Sequence, residues 1–238
     1  MQILPIKTPV LQPPEDDLLA ALTDSITDLQ NGDVVAISSK VVAIDEGRCI
    51  PVEDIDKTVL VESMADITIP RDYWKSPLTI VHSAFIGTAG IDESNADGYY
   101  VLLPEKPVMS AKRIHAHLCA TYGVSELGVT ITDSHSIPLR RGAIGISIGF
   151  WGFVPIIDHV GEQDLFGREL KIEVSNLVDG LAAAANVVMG ETDAAQPVAI
   201  LRDVPNITFS TQNHHTDVYI KPAEDTFRVL YERFINQD

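Results

Sequence analysis

The feature that most restricts the fold is an uncharged run from Gly142 to Ile157. It holds 16 residues, four of them glycines in the pattern G-x-x-G-x-x-x-G-x-x-G, followed by Pro155. Such a run is short for a membrane-spanning helix and poor in helix formers, so it reads as buried strands and tight turns. The glycine spacing fits close backbone packing better than a dinucleotide fingerprint, which needs G-x-G-x-x-G. A chain of 238 residues can bury a core around such a run without disulfide or metal staples, as one large domain or two small ones.

Charge narrows the function. Seventeen Lys and Arg stand against 34 Asp and Glu, a formal charge of -17. That argues against nucleic acid and against anionic membrane surfaces, both of which select basic patches. Anionic small substrates then need metal ions or local basic residues. Cys49 and Cys119 are too few for a disulfide framework, and a reduced cytoplasmic setting fits. Met1 to Pro5 lacks the charged and apolar regions of a signal peptide.

Strands and helices alternate without clean βαβ order, which predicts an α+β fold. Pro13 to Asp17 is read as opening a helix through Leu18, Leu19, Leu22, Ile26 and Leu29, stopped at Asn31-Gly32. Asp33 to Ser38 reads as a buried strand, and Val41 to Ile44 continues apolar before a turn at Asp45 to Arg48. Asp54 to Thr68 is partly helical. Leu78 to Phe85 and Tyr99 to Leu103 are strand-like. Ser110 is a candidate N-cap for a helix ending at Gly123. Leu127 to Thr132 reads as a strand, and Asn176 to Met189 as a helix closed by Gly190. Val198 to Leu201 and Thr216 to Ile220 read as strands, and Pro222 to Ile235 as an amphipathic helix. The Lys106-Pro107 region is the best place to divide the chain, into 1–106 and 107–238, unless the two parts form one interwoven unit.

Two acidic loops follow apolar runs: Gly90-Ile-Asp92-Glu-Ser-Asn95 and Thr132-Asp133-Ser134-His135-Ser136. Carboxylate, hydroxyl and amide oxygens at strand ends suit a hard cation such as Mg²⁺ or Mn²⁺. Two such loops can hold one or two ions that clamp a triphosphate, with Glu191 as a further oxygen ligand. The same residue types also make ordinary solvated turns. Lys40, after Ser38-Ser39, can pair with phosphate as a point charge or stand in solvent, and no P-loop precedes it. Arg140, Arg141 and Arg168 can bind carboxylates or form structural ion pairs. His82, His115, His117, His135, His159, His214 and His215 show no zinc spacing.

Taken in order, Gly90 to Asn95, Thr132-Asp-Ser134, Arg141-Gly142, Ile148 to Gly152, Asp158 with Gly161, Asp164, Gly167-Arg168, Ala182 to Ala185 and Val188-Met-Gly190 resemble the coenzyme F420:L-glutamate ligase family. The similarity runs from about Asp33 to Arg202. It implies an α+β fold forming an intertwined homodimer. It also implies a GTP- or ATP-dependent ligase that joins L-glutamate to the carboxylate of a deazaflavin precursor. Two divalent ions, Mg²⁺ or Mn²⁺, and a monovalent cation such as K⁺ come with it. By position, Asp92 and Asp133 match ligands of one divalent ion and Ser134 and Glu191 those of a second. Ser39, Lys40 and Asn95 match nucleotide contacts, and Arg141 and Arg168 are candidate substrate contacts. The resemblance is broken at Ile44, where the family carries a basic residue. It is broken again at Ser83 to Gly90, where the family reads Gly-Phe-Val-x-Ala-Asn-Ala-Gly. These departures leave room for another acceptor, such as a glutamate oligomer, or for a non-catalytic nucleotide- and metal-binding relative.

Overall fold

A computed structural model describes residues 1–72 and 76–235. The α+β class holds, with mixed sheets and packed helices. The main sheet has five strands. They are β1 (Gln2–Ile6), β2 (Asp33–Ser38), β8 (Leu127–Ser136), β9 (Ala143–Trp151) and β12 (Val198–Arg202), in the order β1-β12-β2-β8-β9. Only β2 and β8 are parallel neighbours; the other pairs are antiparallel. The sheet takes β1 and β2 from before Lys106 and the other three strands from after it.

Both faces of this sheet are covered. On one, Val35, Ile37, Val129, Ile131 and Ile200 meet α1 (Leu18–Ser25), α2 (Ser39–Asp45) and α4 (Pro107–Tyr122). On the other, Val34, Ala36, Phe150 and Leu201 meet Val178, Leu181 and Ala185 of α5 (Leu177–Met189). Double coverage explains why β2 and β12 read as continuous apolar runs. Each fully buried Val, Ile or Leu here contributes roughly 1.5–3 kcal/mol. Asp33 opens β2 at full burial and is gripped by Arg202, whose Nε and Nη2 donate at 2.9 and 2.8 Å.

A smaller lobe packs beside the sheet. It comprises β3 (Cys49–Pro51) with β7 (Tyr99–Val101), α3 (Lys57–Met64), and the hairpin sheet β4 (Ile67–Ile69), β5 (Leu78–Val81), β6 (Ala84–Gly87). An exposed arm, β10 (Ile156–Asp158) and β11 (Val174–Asn176), projects between β9 and α5. No helix among the described residues is long and apolar enough to cross a membrane.

Several boundaries differ from the sequence reading. α1 starts at Leu18, capped by the Asp17 carboxylate on Ala20 N at 2.9 Å, and stops before Ile26. Val41 to Ile44 lie on α2. Leu78 to Phe85 is two strands, folded at His82 and Ser83, both with positive φ. α4 begins at Pro107, and Ser110 lies inside it with its hydroxyl on Glu46. The second acidic loop is no loop: β8 runs through Ser136 because β9 pairs with it to Ala143. Thr216 to Ile220 forms no strand. It holds the single turn α6 (His215–Val218), beside which His214 bonds Asp217 and Ser210 locally. Pro222 to Ile235 breaks into turns before the short α7 (Glu232–Ile235), because Asp225 accepts from Phe227 N and Tyr231 Oη. Tyr231 is instead buried edge-on against Phe85 at 5.3 Å. β1, an edge strand that tolerates Pro5, was not anticipated.

The glycine run forms β9 and the bend after it. Gly152 has φ +97°, and a Cβ there would lie 2.1 Å from the Leu127 carbonyl oxygen. Gly180, on the exposed side of α5, has nothing within 4 Å. Gly152→Ala is therefore expected to lose about 2–5 kcal/mol of stability, and Gly180→Ala to gain about 0.5–1 kcal/mol. Urea unfolding of both variants measures this; a neutral Gly152→Ala would contradict the packing.

Candidate active site

β2 ends alongside β8, with its last residue, Ser38, paired to Thr132. The next residues on each, Ser39 opening α2 and Asp133 continuing β8, meet: Ser39 Oγ donates to Asp133 Oδ1 at 3.1 Å. A cleft of about 520 Å³ opens here. Ser39, Lys40, Asp92, Asn95, Asp133, Ser134 and Glu191 all line it, although they come from four separate stretches of chain.

The Gly90–Asn95 loop is pinned from behind. Asp92 exchanges backbone hydrogen bonds with Val101, and Ile91 and Ala96 are buried. The Asp92 carboxylate accepts from Ser94 N and Ser94 Oγ, both at 2.8 Å, and lies 2.6 Å from Lys40 Nζ. Lys40 also donates to the Ser94 carbonyl at 2.8 Å. Asn95, at φ +49°, donates across the cleft to Thr192 O at 3.2 Å. On the opposite wall, Glu191 follows the Gly190 cap of α5. Its Oε1 accepts from Ser134 Oγ at 2.7 Å and Asn186 Nδ2 at 2.8 Å.

The electrostatics are lopsided. Burial pushes the Asp133 carboxyl up to about 6; the Ser134 N–H and the Ser39 hydroxyl work against this, while Asp92 and Glu191 add to it. Burial also pushes Asp92 up, but Lys40 and Ser94 outweigh it and hold that carboxyl below its ordinary value. Three acids thus share one lysine, an arrangement completed by added positive charge. Among the described residues no three His, Cys, Asp or Glu side chains converge tightly enough to hold an ion by themselves. A cation here would draw on hydroxyl and ligand oxygens as well, which suits a hard metal bridging to phosphate.

Arg141 and Arg168 lie outside the cleft lining: Arg141 is exposed just before β9, and Arg168 is exposed on the arm between β10 and β11. The cleft also uses residues that the sequence analysis did not single out. Thr8 to Leu11 form one rim, tied to the far wall where Thr8 N donates to Ala195 O at 3.1 Å. Thr192 to Pro197 form another. The acidic Glu191-Thr-Asp193 cluster was the available signal for the second; the apolar first rim offered none.

The Asp133 shift sets a pH dependence. With the folded-state value raised, the folded protein keeps a proton that the unfolded chain releases, so stability falls as pH rises from about 4 to about 6. In chelator-treated protein, Asp133→Asn is expected to raise stability at pH 8 by about 1–2 kcal/mol and to change it little at pH 4. Denaturant titrations at both pH values measure the difference; equal effects at the two would remove the assignment.

Residues 5–203, which include every cleft residue named above, match the family described as F420-0:Gamma-glutamyl ligase. The coenzyme F420:L-glutamate ligase of Methanopyrus kandleri is 35% identical over 235 residues, spanning 90% of this chain and 92% of that one. That of Halorubrum lacusprofundi is 36% identical over 212 residues, 79% and 82% of the two chains. That of Methanocaldococcus jannaschii is 30% identical over 250 residues, 96% and 97%. By these matches the chain belongs to the F420-0:γ-glutamyl ligase family.

Proposed function

We propose that the protein is an amide-bond-forming ligase that adds L-glutamate to the carboxylate of coenzyme F420-0, consuming GTP or ATP. The observation that carries this reading is the convergence of Ser39, Lys40, Asp92, Asn95, Asp133, Ser134 and Glu191 on one cleft in a chain of this family. Asp92 and Asp133 are assigned to one divalent ion, and Ser134 and Glu191 to a second. Bound Mg²⁺ or Mn²⁺, with K⁺ as a monovalent partner, supplies positive charge against the nucleotide phosphates. Ser39, Lys40 and Asn95 are assigned to the nucleotide, with Lys40 able to leave Asp92 for a phosphate oxygen.

The chemistry needs no protein nucleophile. An acceptor carboxylate oxygen attacks the γ-phosphorus, the bond to the β-bridging oxygen breaks, and nucleoside diphosphate leaves. The glutamate amine then attacks the acyl carbon, the C–O bond to phosphate breaks, and the amine proton passes to solvent. The protein's part is to orient the reactants and exclude competing water.

A second reading keeps the ligase chemistry but changes the acceptor to one such as a glutamate oligomer. It draws on Ile44, Gly87 and Thr88, which depart from the family pattern and line the cleft, Ile44 in place of a basic residue. A non-catalytic nucleotide- and metal-binding relative is the third. Mass spectrometry after incubation with L-glutamate, Mn²⁺ or Mg²⁺, GTP or ATP, and F420-0 separates them. A glutamate-sized increment on F420-0 supports the first, a glutamate ladder without it the second, and nucleotide binding without product the third. Asp92→Ala and Asp133→Ala are expected to cut turnover by about 10²–10³-fold or more while leaving the far-ultraviolet dichroism unchanged. Wild-type activity in either would sink the metal assignment.

The reading includes a cytoplasmic homodimer. Leu165, Phe166 and Ile172 on the β10–β11 arm are 99%, 94% and 84% exposed, an apolar surface suited to a second copy. Arg168, exposed on that arm, and Arg141 are assigned to a partner's cleft as substrate contacts. Cys49 and Cys119 are both free thiols, in keeping with a reducing compartment. Phe166→Asp is expected to yield monomer in light scattering; an unchanged dimer would remove the arm from the interface.

A further inference from the structure

Asn186 stands in the last turn of α5, half-buried, between Ser134 and Glu191. Its Nδ2 donates to Glu191 Oε1 at 2.8 Å and lies 3.4 Å from Ser134 Oγ. Ser134 Oγ donates to the same Oε1 at 2.7 Å. Oε1 is thus held by two donors, while Oε2 has no donor among the described residues. The amide orientation is dictated by its partners: a flipped amide would set oxygen against the carboxylate.

The reach of Asn186 depends on a missing side chain. Gly145 pairs directly with Ser134 across β8 and β9. A Cβ at Gly145 would lie 2.4 Å from the Ala182 carbonyl oxygen and 2.9 Å from Asn186 Cβ. Glycine there lets α5 sit close enough over β9 for an asparagine to touch the neighbouring strand. The donated hydrogen bonds fix the Glu191 carboxylate in one orientation and commit the Ser134 proton, and with Asn186 Nδ2 donating to the serine oxygen one lone pair is left for another partner.

We infer that Asn186 is a positioning residue that fixes the Ser134 hydroxyl and the Glu191 carboxylate for a divalent cation; this rests on the metal assignment made for the ligase. Outer partners of this kind are worth about 10–100-fold in metal affinity. Calorimetric titration of chelator-treated protein with Mn²⁺, alone and beside a saturating non-hydrolysable GTP analogue, tests it. Asn186→Leu, near in size but without a donor, is expected to weaken Mn²⁺ binding by about 10–100-fold. The metal-free melting temperature and dichroism should stay near wild type, and turnover should recover as Mn²⁺ is raised. Asn186→Ala, which leaves more room beside Gly145, should show the same loss if the leucine variant does not fold. Mn²⁺ affinity within about threefold of wild type in a folded variant overturns the inference. Wild-type protein that binds Mn²⁺ but forms no product removes the ligase reading and leaves Asn186 judged by the titrations. Wild-type protein that binds no Mn²⁺ with or without the GTP analogue removes both.

Discussion

The site depends on the parallel pairing of β2 with β8. Six residue pairs, from Asp33 with Leu127 to Ser38 with Thr132, bring two distant stretches to a common end. A one-residue slip would turn every side chain to the opposite face, and both faces are packed, so the register is tightly specified. The Arg202 grip on buried Asp33 holds the other end. Because β2 stops level with Thr132 of β8, the next residues on the two stretches, Ser39 and Asp133, are delivered to one place. Ser39 turns into α2 while Asp133 continues along β8, and the serine hydroxyl reaches the carboxylate. The Asp92 loop and Glu191 are then brought in by weaker means, a two-bond backbone bridge to Val101 and a helix end.

This arrangement trades stability for charge. A carboxylate as enclosed as Asp133 is costly to ionise, and two further acids make it more so. Packing alone gives no reason to gather these groups. In a chain of net charge -17, Lys40 is the basic side chain in the cleft lining, and it already serves Asp92. Such a site is short of positive charge, which the proposed divalent ions would bring. The exposed arginines Arg141 and Arg168 stand apart from the cleft of a single chain.

The parts of the fold visible in the sequence are those in which burial or capping acts locally. β2 and β12 are apolar throughout because helices cover both faces, and Gly123, at φ +67°, ends α4 as its place after Tyr122 implies. Asp133 to Ser136 were misread because polar residues at a strand end look like a turn; only β9, pairing from beyond Arg140-Arg141, keeps them extended. Thr216 to Ile220 has strand-forming residues but pairs with no sheet, and His215 to Val218 make a single helical turn instead. For the site, Asp92 and Asp133 could be picked out as acids following apolar runs. Their meeting with Lys40 and Glu191 is tertiary and leaves no trace in spacing. Asn186 gave no signal at all: an asparagine on a helix is ordinary until Gly145 is seen beneath it.

The glycine run that first limited the fold returns as the spacer of the site. Gly145 and Gly149 are four apart and would share a face on a regular strand. They do not, because Ile148 is an extra residue: Ile131 pairs with Gly149 and Thr132 with Ser147. The bulge turns Gly149 toward α4, where a Cβ would meet the Pro107 backbone at 2.5 Å, and leaves Gly145 toward α5. One irregularity therefore lets a single strand seat helices closely on both faces. It also lies at the point where β8 passes from core residues to Asp133 and Ser134. The close seating of α5 that it permits brings Asn186, and after it Glu191, within hydrogen-bond reach of Ser134.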